Sequence, residues 1–548
     1  MELRLMCGIF GGFSAAPDTF PAPLLTWNQR RGPDATRVVH SGSAFLGLCR
    51  LAVIDPLAAT PPHQSEDGSI LAAVNGEIYN EPELRRELEQ RGYRFETRID
   101  TEVVVHAYEE WGAPFVARLN GMFAFILWDG RRRRFLIGRD RLGIKPLFWT
   151  THGGLLLVSS SSRSLAEGTG ATLNGAALIE ALYRQSIAAP RTIFADVSAL
   201  PAATIMEFDG SRVVSSARYW EPALPAKTPE PRALVEQLDA AISASSARQC
   251  RTDRASAVAL SGGIDSALLA SSSPRPAARF VTLEGDELAA ATNIAESAGA
   301  SLETIRFPKD WRDAFRTWSE GADQLPADGF NTYLLCREIA GETVVLHAGI
   351  GGDELFNGYV ELNGTPTFLA ATAMIPAQHL SRLGAALNVD VAEVVDDITR
   401  RLAARIARSG ADDRAEALRL LLVDEYLTSC LLANADDCSM AHGVELRVPL
   451  LDNELVDLAF SIPYRMMCDG RNGKIPLRNL LARRGLAAIA AAPKRGFRLP
   501  YESLVAQLDG SASLLDLVDV LPGSAAAYRR WALTAASHWL ESAGLRTW

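Results

Sequence analysis

The chain contains no run of eighteen apolar residues, so no segment of it reads as a membrane-crossing helix. Its first six residues, Met1-Glu2-Leu3-Arg4-Leu5-Met6, are too few and too charged for a secretory signal. Cysteine is scarce: the seven, at positions 7, 49, 250, 336, 430, 438 and 468, form no CxxC pair and no regular disulfide spacing. That pattern points to a reducing compartment, and a soluble cytoplasmic protein is expected. Positive charge is also short. A formal net charge of −10 argues against a general nucleic-acid surface. The dense basic run from Arg131 to Arg134 lies between two apolar strand-like segments, 122–128 and 135–137, and reads as a solvated hairpin turn. Repeats and low-complexity tracts are missing too.

With 48% hydrophobic and 22% charged residues the composition is that of a globular protein, and 548 residues are too many for one core. Residues 7–220 are rich in short β-type runs, at 8–13, 45–54, 70–74, 123–128, 135–138 and 155–159, which predicts a mostly antiparallel layered domain. Four prolines between Trp220 and Arg232 predict an extended linker over 221–231. Over 232–548, helical patterns alternate with short apolar strands at 257–260, 279–283 and 344–347, which predicts an α/β domain with a parallel, doubly wound sheet. From about Pro366 the chain reads as mainly helical.

The most informative run is Ser261-Gly262-Gly263-Ile264-Asp265-Ser266, set between an apolar strand and a helix start. Two glycines let the backbone approach an anion, while the hydroxyls and free N–H groups of the helix start bind its oxygens. Asp265 suits a magnesium ligand, because Mg²⁺ in nucleotide sites takes one or two carboxylates and completes its shell with phosphate oxygens and water. The lysine of a GxxxxGK loop is missing, so the run is no device for moving a γ-phosphate. It fits cleavage of ATP between the α and β phosphates, leaving an adenylated acid.

Cys7, in Met6-Cys7-Gly8-Ile9-Phe10, reads either as a small buried thiol at a strand start or as a nucleophile. If the residues before it are removed, its own α-amine, with a pKa near 8, serves as the base for its thiol. Asn75 and Gly76, taken to follow the strand at 70–74, offer an amide and an N–H for an oxyanion. Arg50 offers a fork for an α-carboxylate, and Glu77 and Asp100 could receive an α-ammonium. Each charge on its own reads equally well as a surface salt bridge. Together they suit a free amino acid such as glutamine.

In this order the motifs MCGIFGG (6–12), RRGPDA (30–35), NGEIYN (75–80), DTEVVVHAYEEWG (100–112), GRDRLGIKPLFW (138–149), SGGIDS (261–266), GGDELFNGY (351–359), ELRVPLLD (445–452) and GKIPLR (473–478) resemble those of glutamine-hydrolysing asparagine synthetases across almost the whole chain. The resemblance implies a layered αββα N-terminal-nucleophile glutaminase joined to an ATP pyrophosphatase-type synthetase. Its substrates would be glutamine, ATP and aspartate, with Mg²⁺, and ammonia would cross an internal tunnel to a β-aspartyl-AMP. Carried over by motif, Cys7 is the nucleophile and Asn75 and Gly76 are the oxyanion donors. Arg50, Leu51, Ala52, Val53, Ile54, Asn75, Gly76, Glu77 and Asp100 hold glutamine. Leu260, Ser261, Gly262, Gly263, Asp265, Ser266, Ala348 and Gly349 hold ATP, Asp265 and Asp353 hold Mg²⁺, and Lys474 neutralises charge on the intermediate. Members of the family are often homodimers.

Two departures stand out. Five residues precede Met6, so the resemblance requires a start at Met6 or a cut leader if Cys7 is to carry a free amine. Ile350 stands where the family carries an acidic residue, which leaves either Glu354 to substitute or an acceptor other than aspartate. Asn434 and Asp437 also replace basic residues, and the segment 281–286 is short. The alternatives are an amide-bond-forming relative acting on another carboxylate in natural-product or polysaccharide assembly, and a catalytically decayed scaffold.

Overall fold

The structure is a computed structural model that describes the chain except residues 1–6, 15–19, 33, 225–229, 273–278, 286, 327, 361, 363–372, 412, 494–498, 509–512, 519–524 and 546–548. Residues 1–6, Asp286 and the 225–229 part of the expected linker therefore lie outside the described residues. The N-terminal half contributes strands β1 (Gly8–Phe13), β2 (Ala35–Ser41), β3 (Ala44–Arg50), β4 (His63–Gln64), β5 (Ile70–Ile78) and β6 (Gly121–Asp129). β7 (Arg134–Arg139), β8 (Phe148–His152), β9 (Leu155–Ser159), β10 (Ser198–Ala199), β11 (Thr204–Asp209) and β12 (Arg212–Arg218) follow. They form two six-stranded sheets, ordered β10-β8-β9-β1-β3-β2 and β12-β11-β7-β6-β5-β4, with antiparallel pairing throughout.

Alternation along each strand decides what the two faces bury. Ile9, Leu46 and Leu48 of the first sheet pack against Ala73, Ala124, Ile126 and Ile137 of the second. Phe10 and Phe45 point the other way, onto Leu24 and Leu165 of the helices Ala22–Gln29 and Ser162–Thr169. On the far side, Val74, Phe123 and Phe125 pack under Leu84 and Val103 of Glu81–Gln90 and Val103–Trp111. The result is the helix-sheet-sheet-helix layering expected.

Two strand ends differ from the sequence reading. β5 runs on to Ile78, so Asn75, Gly76 and Glu77 lie inside a strand rather than after one, each paired across to β6. β3 stops at Arg50, and residues 51–54 leave the sheet as a loop.

The C-terminal half adds β13 (Ser256–Ala259), β14 (Arg279–Leu283), β15 (Leu302–Ile305), β16 (Val345–His347) and β17 (Glu445–Arg447). These are all parallel, in the order β15-β14-β13-β16-β17. The order reverses between β13 and β16, and ligands of open α/β sheets bind at the carboxyl ends of strands flanking such a point. Among the described residues no helix is long and apolar enough to cross a membrane.

The halves meet over a seam of buried charge. Asp436, on the helix Ala433–Met440, accepts from Arg31 Nη2 at 2.6 Å and from Lys145 Nζ at 3.2 Å, and all three side chains are buried. Burial works against the carboxylate, but the two cations outweigh it and hold Asp436 below its usual range. Asp323 accepts from the backbone N–H of Ser162 at 2.9 Å and from the Ser161 hydroxyl, fixing the start of the helix Ser162–Thr169. Replacing Asp436 with alanine strands two buried cations at once. An Asp436→Ala variant is expected to lose about 3–5 kcal/mol of stability, read as a lower urea midpoint.

Candidate active sites

Cys7 stands just before β1, with its Sγ 3.4 Å from the N–H of Leu51, in a small apolar cluster of Leu51, Val53, Ile54, Val344, Val345 and Met440. Burial pushes the thiol up to about 12; the carboxylates of Glu445 and Glu77 add to this, while the Leu51 backbone and Arg50 oppose it. The thiol is thus neutral at physiological pH and needs a base to become a nucleophile.

Asn75 is fully buried on β5, and neither its amide nitrogen nor its amide oxygen has a partner among the described residues. Gly76 follows at φ +123°, with the Met122 carbonyl 1.9 Å from where a Cβ would stand, so no other residue fits. Glu77 is buried, its Oε2 3.1 Å from Arg447 Nη2. Burial, then the charges of Asp100 and Glu445, raise its carboxyl well above the usual range, with Arg447 and Lys145 pulling the other way. Asp100 accepts from the Ile78 N–H at 2.5 Å, and burial pushes it up to about 7 against that hydrogen bond. These are acids short of cations in a dry place, a fitting receptor for an ammonium.

Arg50 already holds backbone with part of its fork. Its Nη1 donates to the Ala58 carbonyl at 2.8 Å and its Nη2 to those of Ile54 and Asp55 at 3.0 and 2.8 Å. It shapes the loop that Leu51, Ala52, Val53 and Ile54 begin. That loop is pinned again from outside: Ala52 N donates to Asp34, Asp253 N donates to the Val53 carbonyl at 3.1 Å, and Arg254 Nη1 donates to the Ala52 carbonyl at 3.2 Å.

On the other side, Leu260 prolongs β13 by donating to the Val281 carbonyl at 2.9 Å, and Ser261 to Ser266 turn into the helix Ile264–Ser272. Gly262 takes φ +72°, and the Ser266 hydroxyl donates to the Gly263 carbonyl at 3.0 Å, closing the turn. The loop after β16 leans against it. Ala348 donates to the Arg447 carbonyl at 2.9 Å, and a Cβ on Gly349 or Gly352 would meet Asp265 at 2.8 and 2.3 Å.

Lys474, at the start of the helix Ile475–Arg483, reaches Asp265 Oδ2 at 2.5 Å and Asp353 Oδ1 at 2.8 Å. Burial disfavours its charge, yet the two carboxylates outweigh burial and lift the ammonium to about 12. Two carboxylates from the first turns of two different helices thus converge on one cation. Among the described residues no group of three or more His, Cys, Asp or Glu forms a metal cage. Mg²⁺ bound with a polyphosphate needs only one or two protein carboxylates, so the pair fits that ion.

Ile350 is half-buried against the apolar core, whereas Glu354 is buried, accepts from the Tyr359 hydroxyl and is pushed up to about 7 by burial and the adjacent Asp353. Tyr359 in turn meets the ring of Tyr426 at 6.3 Å, on the stretch Leu422–Leu432, which winds as a π-helix. Asn434 donates to the Cys430 carbonyl one turn back, while Asp437 accepts from the distant Asp323 N–H.

Sequence reasoning gave no role to Arg447, Glu445 or Asp436, although ELRVPLLD carries the first two; their signal was the presence of charge inside apolar surroundings.

A family model described as a glutamine amidotransferase domain matches residues 6–220, and one described as asparagine synthase matches residues 237–524. A glutamine-hydrolysing asparagine synthetase from Asparagus officinalis is 29% identical over 490 residues, spanning 83% of this chain and 70% of its own. Another from Bacillus subtilis is 25% identical over 554 residues, spanning 90% and 87%. A third, from Arabidopsis thaliana, is 27% identical over 505 residues, spanning 86% and 73%. With the strand-to-helix turn of SGGIDS, its facing carboxylates and the half-buried Cys7 all inside these matches, the chain belongs to the asparagine synthase family and carries a glutamine amidotransferase domain ahead of it.

Proposed function

We propose that the protein is a glutamine-dependent, ATP-driven amide ligase that makes asparagine from aspartate. The observation that carries this reading is one apolar core reaching from one site to the other. Tyr79, Met122, Leu142 and Ile144 of the N-terminal half pack in the same cluster as Leu260, Ile264, Leu446, Val448 and Leu451. Small, neutral ammonia can travel beside such a core, whereas ions and bulk water are disfavoured there.

In this reading Cys7 Sγ attacks the side-chain amide of glutamine, with the Asn75 amide and the Gly76 N–H receiving the oxyanion. Glu77 and Asp100 take the α-ammonium, and the base is the α-amine of Cys7 once residues 1–6 are absent. Collapse of the adduct releases ammonia, and water frees glutamate from the thioester. At the second site Ser261, Gly262, Gly263 and Ser266 hold the pyrophosphate, and Leu260, Ala348 and Gly349 border the nucleotide. The acceptor carboxylate attacks the α-phosphorus and pyrophosphate leaves. Ammonia then attacks the acyl-adenylate, forming the amide and releasing AMP. Asp265 and Asp353 would hold Mg²⁺, which supplies positive charge to the phosphates. Lys474, already between those carboxylates, is placed to neutralise charge that builds on the reacting oxygens.

A second reading, with another carboxylate as acceptor, is favoured by Ile350, which offers no hydrogen bond and leaves Glu354 as the carboxyl on that wall.

The deciding assay supplies amide-labelled ¹⁵N-glutamine, ATP and Mg²⁺ with and without aspartate, and follows pyrophosphate together with product mass. Aspartate-dependent pyrophosphate matched by labelled asparagine is expected; glutamate without asparagine would move the reading to another acceptor. Cys7→Ala should abolish use of glutamine while sparing synthesis from ammonium chloride, and a chain beginning at Cys7 should outperform one that keeps residues 1–6.

Asp100 must be ionised to attract an ammonium. Because burial pushes it up to about 7, it is increasingly neutral below that pH, so KM for glutamine should fall as pH rises through about 7. Gly352→Ala would drive a methyl into Asp265 and is expected to cut ATP–pyrophosphate exchange about 100-fold.

A further inference from the structure

Arg447 is fully buried, and its side chain reaches Glu77, one of the residues on the glutamine side. Its Nη2 lies 3.1 Å from Glu77, its Nε donates to Glu445 at 2.6 Å, and its Nη1 donates to the carbonyls of Gln249 and Arg251 at 2.6 and 2.7 Å. Its own carbonyl faces the other site and accepts the N–H of Ala348 at 2.9 Å, in the loop that also packs Gly349 against Asp265. One residue therefore touches both centres, its side chain one and its backbone the other.

The segment between them is short and tied at each end. Residues 249 and 251 hold the guanidinium, Asp253 and Arg254 hold the carbonyls of Val53 and Ala52, and β13 follows at once, leading into Ser261.

We propose that Arg447 is a positioning residue that makes glutamine binding and nucleotide binding depend on one another. The inference rests on the reading above, in which Glu77 receives the glutamine ammonium and Ala348 and Gly349 border ATP. An ammonium arriving at Glu77 competes with the guanidinium for the same carboxylate. With Glu77 drawn to the ammonium, the guanidinium keeps Glu445 as its one carboxylate partner, and because an underpaired buried cation is costly, Arg447 re-seats toward Glu445. β17 is three residues long and its Arg447 carbonyl anchors Ala348, so the shift reaches the nucleotide loop. By linkage the effect runs equally in both directions.

The test uses the full chain with Cys7→Ala, which binds glutamine without turning it over, and an ATP analogue with a methylene between the α and β phosphorus atoms, in the presence of Mg²⁺. Calorimetry gives the glutamine Kd with and without the analogue, and the analogue Kd with and without glutamine. Both ratios are expected to be the same factor, about fivefold or more. Adding Arg447→Met should bring the factor to one. Arg447→Lys keeps the charge but cannot span Glu77, Glu445 and both carbonyls, so it should reduce the factor, and it carries the test if the methionine variant does not fold. An unchanged factor in these variants, or a factor of one in the parent, overturns the inference while leaving the proposed function standing. A parent that binds no glutamine overturns both.

Discussion

A charge removed from water must meet its counter-charge inside the protein, and across the seam of this molecule each half supplies what the other lacks. Asp436 of the C-terminal half receives Arg31 and Lys145 of the N-terminal half, and Glu77 of the N-terminal half meets Arg447 of the C-terminal half. Arg184 and Glu425 form a further pair across the same boundary. Asp436, Arg31 and Lys145 in particular are buried with their ion pairs made across the boundary. The halves are thereby fixed in register, which is what a reaction split between two centres requires, since a transferred molecule must find the second centre where the first releases it.

Much of this was legible in the chain. The Ser/Gly run after residues 257–260 does sit at a strand-to-helix turn, because an apolar strand, two glycines and a helix start leave the backbone few other options. The antiparallel layers and the parallel sheet followed from period and length in the same way. What could not be read is pairing across long sequence distances. Arg31 and Asp436 lie 405 positions apart, and nothing local distinguishes a surface arginine from one destined for burial. The motifs RRGPDA, GRDRLGIKPLFW and ELRVPLLD were visible as patterns, but their arginines and lysine are explained only once the two halves are seen together.

Arg50 has a structural task that its sequence context did not reveal. A guanidinium at the end of a strand invites the role of a carboxylate fork, and here three of its N–H groups also hold carbonyls of the following loop. Backbone carbonyls outside regular pairing need donors as much as a substrate does. The strand boundary was placed at Val74, where the apolar run ends, whereas Gly76 permits a close approach of β6 and the strand continues to Ile78.

The half-buried, apolar setting of Cys7 bears on the durability of the protein as well as on its chemistry. Sulfur is attacked by peroxide and by electrophiles mainly as the thiolate, and a thiol pushed up to about 12 holds almost none of that form near neutrality. The apolar packing of Leu51, Val53 and Met440 around the half-buried thiol therefore favours its less reactive form.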